Sequence, residues 1–163
     1  MTVQMPHTET RGATERGHHY QVTAWWTADC AGLAKSDSAP NAIHFAAPPE
    51  FGGLQGRWTP ETLLLSAIAS CFTTTFQAVA GYAHLEYRDL GVEVDGAVNK
   101  LNGGYVFTEI SIRPKLTIVG EEEEGRALEI LKKAKNLCLV SRALAVPQVF
   151  EPSVETSKAV PAL

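Results

Sequence analysis

The chain has 163 residues, room for one domain with or without a tail, and 45% hydrophobic with 20% charged residues is an ordinary soluble composition. A formal net charge of −4 excludes the basic stripe that nucleic acid requires, and no basic run offers itself to an anionic membrane. Three cysteines do not make a disulfide scaffold, and the first residues carry no apolar signal-like stretch, so the expectation is a cytoplasmic protein with reduced thiols.

Residues 1–17 are polar and aperiodic and read as a flexible tail, leaving 18–163 as a single domain. "HYQVTAWWTA" (19–28) is aromatic and β-branched, which predicts a strand; "CAGLAKSDSAPNA" reads as a turn-rich connection. "IHFAA" is a short strand halted by "PPEFGG". His18 and His19 resemble a metal pair, but neighbouring strand residues face opposite ways and no acidic or Cys partner has ligand spacing, so no metal is expected.

Thr59 as N-cap, Pro60 at the first helical position and Glu61 behind it start a helix that the pattern carries to Ala83. Residues 62–85 contain no charged side chain and are long enough to span a bilayer. Eight of these twenty-four are Thr, Ser, Gln or His and no Lys/Arg cluster flanks them, so a helix buried in protein is the reading. Its apolar residues cover more than one face, which calls for cover on nearly all sides.

"LGVEVDGAVNKL" and "YVFTEISIRPKLTIV" alternate apolar and polar residues around an "NGG" turn, predicting a hairpin with one buried face. "EEEEGRALEILKKAKNLC" opens with acids and closes with lysines, matching the helix macrodipole, and puts Ala127, Leu131, Ala134 and Cys138 on one face. "VPQVFEPSVE" reads as one last edge strand, because Pro147 and Pro152 suit only an edge. The order β-β-α-β-β-α-β is α+β, with an antiparallel sheet against two helices. One small sheet cannot wrap the 60–83 helix, and a homodimer sharing two such helices would.

Cys71 and Cys138 fall on core-facing helical positions, 67 residues apart, where a thiol is commonly an inert small hydrophobe. A redox pair needs the two Cα atoms within about 7 Å. Cys71 lies about 15 Å along the helix from Glu61, so the dipole helps its thiolate little, and Cys138 lies at the disfavoured C-terminal end. Each thiolate therefore calls for a cation, and the sequence offers Arg57 and Arg142. Trp25, Trp26, Phe51, Phe72, Phe76 and Tyr105 read mostly as core, with some walling an apolar pocket over the thiols.

"WTPETLLLSAIASCF" closely resembles the signature of the OsmC/Ohr family, the osmotically inducible protein C and organic hydroperoxide resistance proteins. In that signature a Pro-Glu pair opens the central helix and a Cys-Phe follows ten residues after the glutamate; here these are Pro60, Glu61, Cys71 and Phe72. "APPEFGGLQGRW" is similar to the family's Gly-Gly loop, and "NLCLVSRAL" to its second-cysteine motif, so the resemblance covers about 20–156. It implies an intertwined homodimer with antiparallel sheets wrapped around two long central helices and a site at the subunit interface. It further implies a peroxidase without metal or organic cofactor. Cys71 would take the oxygen of an organic hydroperoxide, Cys138 would resolve the sulfenic acid to a disulfide, and a dithiol would reduce it.

One departure matters. Peroxidase members carry an arginine on an early strand, held by the glutamate, where this chain has Cys30 or Ala31. Either Arg57 or Arg16 takes over, with Glu61 as anchor, or Cys71 is a poor thiolate. Leu139 also stands where many members have proline. Phe72, Phe76 and Phe51 are the candidate substrate-pocket residues. The competing reading is a non-catalytic dimer that binds a small hydrophobic ligand or senses oxidation.

Overall fold

The computed structural model describes residues 17–27 and 30–157, so the predicted tail lies almost wholly outside the described residues. The chain forms two compact units, Met1–Arg57 and Trp58–Leu163.

The first unit holds strands β1 (Thr23–Trp26), β2 (Ala31–Lys35) and β3 (Ile43–Ala46) in one antiparallel sheet of that order. A 3-10 turn at Pro49–Phe51 follows. β2 falls where the sequence suggests only a connection. Its small residues carry no strand signal, and the pairing of Trp25 with Leu33 and of Leu33 with His44 imposes the conformation instead. Gly32 is required there, since a Cβ would lie 2.3 Å from the Phe45 ring. Trp25, Trp26 and Phe51 are exposed rather than core, at 45%, 61% and 48%. His18 and His19 are exposed in irregular chain.

In the second unit helix α1 spans Pro60–Tyr82. Thr59 and Thr62 cap it reciprocally: the Thr62 N–H donates to Thr59 Oγ1 at 3.2 Å, and the Thr59 N–H to Thr62 Oγ1 at 2.8 Å. At the far end His84 takes the left-handed conformation, φ 51, usually given to glycine. The Leu85 N–H reaches back to Ala80 O at 3.0 Å and the His84 N–H to Gly81 O at 3.1 Å, satisfying carbonyls the helix leaves open. The Arg126 guanidinium donates to Ala83 O beside them.

Strands β4 (Tyr87–Leu101) and β5 (Gly104–Ile118) form the predicted hairpin through Asn102 and Gly103, both at positive φ. Tyr105, at the hairpin tip, is 59% exposed. A 3-10 turn, Glu121–Glu123, leads into α2 (Glu124–Leu137), and α3 (Leu139–Arg142) follows after Cys138 alone. The predicted last strand divides into β6 (Gln148–Phe150) and β7 (Ser153–Thr156). Both pair parallel to β5 and flank the break at Glu151 and Pro152, so the second sheet is mixed rather than wholly antiparallel.

α1 packs on α2, on β4 and on α3. Phe72, Phe76, Leu116, Ile118, Ala127, Leu131, Ala134 and Cys138, all fully buried, form the main cluster. Burial of each large side chain here is worth about 1.5–3 kcal/mol. Phe72 meets Phe150 with ring centroids 5.8 Å apart, and Phe76 meets Tyr87 edge-on at 5.2 Å. A second cluster joins Ile68 to Ile110 and Ile112.

By length and composition α1 could cross a bilayer, yet one face is committed to this core. The opposite face stays uncovered: Ser70, Thr73, Thr74, Gln77 and Gly81 are exposed. The hydroxyls of Ser70, Thr73 and Thr74 donate to their own helix's carbonyls, at 3.2 Å to Ala67, 2.9 Å to Ala69 and 3.0 Å to Ser70. The three hydroxyls on that face are therefore satisfied by their own helix, leaving the Gln77 amide as its polar group open to a partner or water.

Candidate thiol site

Packing of α1 on α2 brings Cys71 and Cys138 together. Both are free thiols, Cys71 part-buried and Cys138 buried; they pack in one cluster, and each shifts the other's ionisation. Cys138 ends α2 with extended backbone, φ −61 and ψ 108, and the chain turns directly into α3. This turn lays successive backbone N–H groups against the two sulfurs. The Val140 N–H donates to Cys71 Sγ at 3.5 Å, the Leu139 N–H also serves Cys71, and the Ser141 N–H serves Cys138.

These contacts separate the two thiols chemically. For Cys71 burial raises the pKa, but the Val140 N–H, the Cys138 thiol, the Thr75 hydroxyl and the Leu139 N–H together outweigh it, and the thiol lies below its ordinary value. For Cys138 burial raises the pKa, the Ser141 N–H opposes it, and Cys71 adds to the rise both as acceptor and as charge. Lys135 lowers it by less, so Cys138 stays above the ordinary range. Cys71 is thus the more acidic and more accessible sulfur, and Cys138 the sealed one. The donors that favour the Cys71 thiolate are uncharged, so the cation that the sequence reading demands is not among the groups lowering it.

Behind Cys138 lies a polar chain that the sequence reading missed. Lys135 Nζ donates to Ser141 Oγ at 2.7 Å, Ser141 Oγ donates to Gln148 Oε1, and Gln148 Nε2 donates to Ser141 O at 2.8 Å. Lys135 had an electrostatic explanation as a helix C-terminal lysine. The one available signal was its place three residues before Cys138, about one turn along the same face.

Glu61 sits in the first turn of α1, and its Oε2 is buried with no hydrogen-bond partner among the described residues. Arg57 closes the first unit and is exposed; Arg142, on α3, is exposed as well. Phe72 and Phe76 lie in the core cluster, and Phe51 belongs to the first unit. One turn beyond Cys71 an apolar cleft of about 380 Å³ opens between α1 and α2, lined by Thr75, Ala78, Val79, Tyr82, Lys133 and Leu137. Thr75 thus touches both the cleft and the Cys71 sulfur.

The family model described as OsmC-like protein matches residues 53–152. The chain is 28% identical over 130 residues to the uncharacterised Bacillus subtilis protein YmaD, covering 78% of this chain and 87% of that one. It is 26% identical over 133 residues to the Escherichia coli peroxiredoxin OsmC, covering 77% and 90%. An OsmC-like protein of unknown function from Vibrio cholerae superposes with a TM-score of 0.75 at 16% identity, covering 83% of this chain and 99% of that one. The α+β fold agrees with that neighbour.

Proposed function

The chain belongs to the OsmC-like protein family, and from that premise we propose that it is a cysteine-based peroxidase that reduces organic hydroperoxides. The observation that carries this is the packing of a part-buried, more acidic Cys71 against the cluster that holds a buried, less acidic Cys138. One thiol is suited to attack and the other to resolve.

The Cys71 thiolate attacks the terminal oxygen of the hydroperoxide, and the O–O bond breaks. The alcohol leaves after taking up a proton, and Cys71 becomes a sulfenic acid. The Val140 and Leu139 N–H groups hold the thiolate without a formal charge, which supports the reaction in a chain lacking the early-strand arginine. Cys138 then attacks the sulfenic sulfur, water leaves, and a Cys71–Cys138 disulfide forms. A small dithiol completes the cycle.

Glu61 is assigned the anchor role, receiving a cation on its unpartnered Oε2. Arg57 is the candidate cation on sequence grounds alone. Phe72 and Phe76 would wall the site from the core side; Phe51 is a pocket candidate on sequence grounds alone. The working form is a cytoplasmic homodimer in which a second copy covers the exposed face of α1, and in it residues 18–163 act as one functional domain.

Thiol titration of the purified protein after cumene hydroperoxide tests the reading. Loss of two thiols per chain, abolished in Cys71→Ser, is expected. Thiols that survive excess peroxide would overturn the enzyme and leave a binding or sensing role on the same fold.

A further inference from the structure

The polar chain behind Cys138 has no part in the peroxide step, because it lies on the side of Cys138 served by Ser141 rather than among the groups that bond Cys71. Its members are unusually well committed. Ser141 is 2% exposed and spends its hydroxyl as acceptor to Lys135 and donor to Gln148, while the Gln148 amide closes back on the Ser141 carbonyl. An ammonium has three donors and no acceptor, and among the described residues this one, part-buried, bonds Ser141. It is also the positive charge acting on Cys138.

Resting on the peroxidase reading above, we propose that Lys135 positions its charge to receive Cys138 as the leaving thiolate when the Cys71–Cys138 disulfide is reopened. It thereby directs the reductant to Cys71. A thiolate of the incoming dithiol attacks Cys71 Sγ, a new S–S bond forms, and the Cys71–Cys138 bond breaks with its electron pair going to Cys138 Sγ. The second thiol of the reductant, deprotonated, attacks the reductant's own sulfur in the mixed disulfide. Cys71 leaves as thiolate, the cyclic oxidised dithiol departs, and Cys138 takes up a proton.

Access and electrostatics agree on this direction. Cys138 is 0% exposed and Cys71 is not sealed, so an incoming thiol meets Cys71 first. That leaves Cys138, the less acidic and so intrinsically slower leaving group, to carry the developing charge, and a cation beside it compensates. Among the described residues the charged or titratable groups acting on Cys138 are Cys71 from α1 and Lys135 from α2; α3 carries the exposed Arg142 and meets Cys138 through the neutral Ser141, which bonds Gln148 of β6. Lys135 is a positioning residue and touches neither peroxide nor reductant.

The test starts from the oxidised protein, whose disulfide is first confirmed by mass. Reduction by dithiothreitol is then followed for the wild type, Lys135→Met and Lys135→Arg, alongside the rate of sulfenic-acid formation at Cys71 with cumene hydroperoxide. Lys135→Met should slow reduction about fivefold at neutral pH, the effect of removing about 1 kcal/mol of screened attraction from the departing thiolate. Lys135→Arg should restore it, and the peroxide step should be unchanged. The ratio of wild-type to Lys135→Met rates should fall toward one as pH rises and Lys135 itself loses its proton. A structural role would not produce that convergence. With glutathione, the trapped mixed disulfide should map to Cys71. Equal reduction rates across pH, or an adduct on Cys138, would overturn the proposal. A disulfide that never forms would instead overturn the peroxidase reading on which it rests.

Discussion

Replacing Leu139 by proline isolates one hydrogen bond. Leu139 is the first residue of α3, where a helix has no internal acceptor for the N–H and where proline's fixed φ is accommodated. The preceding Cys138 already has the extended backbone, ψ 108, that a proline demands of its neighbour. The Leu139 side chain is 71% exposed, so losing it removes little packing. What disappears is the N–H that helps hold the Cys71 thiolate.

A good hydrogen bond to a charged acceptor is worth about 1.5–3 kcal/mol. Leu139 contributes less than Val140, and sulfur accepts more weakly than oxygen, so about 1 kcal/mol is the reasonable share. Since about 1.4 kcal/mol corresponds to a tenfold change, alkylation of Cys71 by iodoacetamide near neutral pH should slow roughly fivefold. The sign follows from the direction of the shift. The amide favours the anion, so its loss raises the pKa and reduces the thiolate present at neutral pH. The two proteins should converge in alkali, where both are fully ionised. Identical rate–pH curves would refute the claim that backbone amides activate this sulfur.

Other perturbations probe the frame around the site. Phe72→Ala removes a fully buried ring packed on Phe150 and should cost about 3–5 kcal/mol in urea unfolding, against less than 1 kcal/mol if the cluster tolerated the cavity. Thr59→Ala breaks the reciprocal cap of α1 and should cost about 1 kcal/mol in the same assay. In a two-fold dimer an exposed helix residue near the axis meets its own counterpart. Thr73→Arg should therefore convert a dimer to a monomer in sedimentation velocity, and a wild type that is itself monomeric would remove that part of the account.

What the sequence declares and what it hides follow from the range of each signal. α1 is legible because its start is local chemistry, Thr59 and Pro60, and because its body after Glu61 carries no charged side chain. The β4–β5 hairpin is legible from alternation and from Asn102-Gly103. β2 is not, since small residues such as Gly32 take their strand conformation from Phe45 and from both neighbours. The division of the last strand escapes notice because two parallel pairings to β5 at different positions leave no periodic mark. Trp25 and Trp26 read as core from hydrophobicity alone, which does not say whether their own chain covers them.

The thiols show the same limit. The resemblance to a known pattern singles out Cys71 and Cys138. Charge counting asks for an arginine, because only side-chain cations are visible in a sequence. The groups that act on Cys71 are backbone amides of Leu139 and Val140, which every non-proline residue carries and which only the turn after Cys138 aims. Lys135 is hidden differently, since its pairing with Ser141 depends on α3 turning back over the end of α2.

The most direct test is peptide mapping after a single equivalent of cumene hydroperoxide. The account predicts one dominant cross-linked species joining the Cys71 and Cys138 peptides, absent in Cys71→Ser, with Cys30 unmodified. Oxidation spread over all three cysteines, or a Cys71 sulfenic acid that persists beside a reduced Cys138, would contradict it.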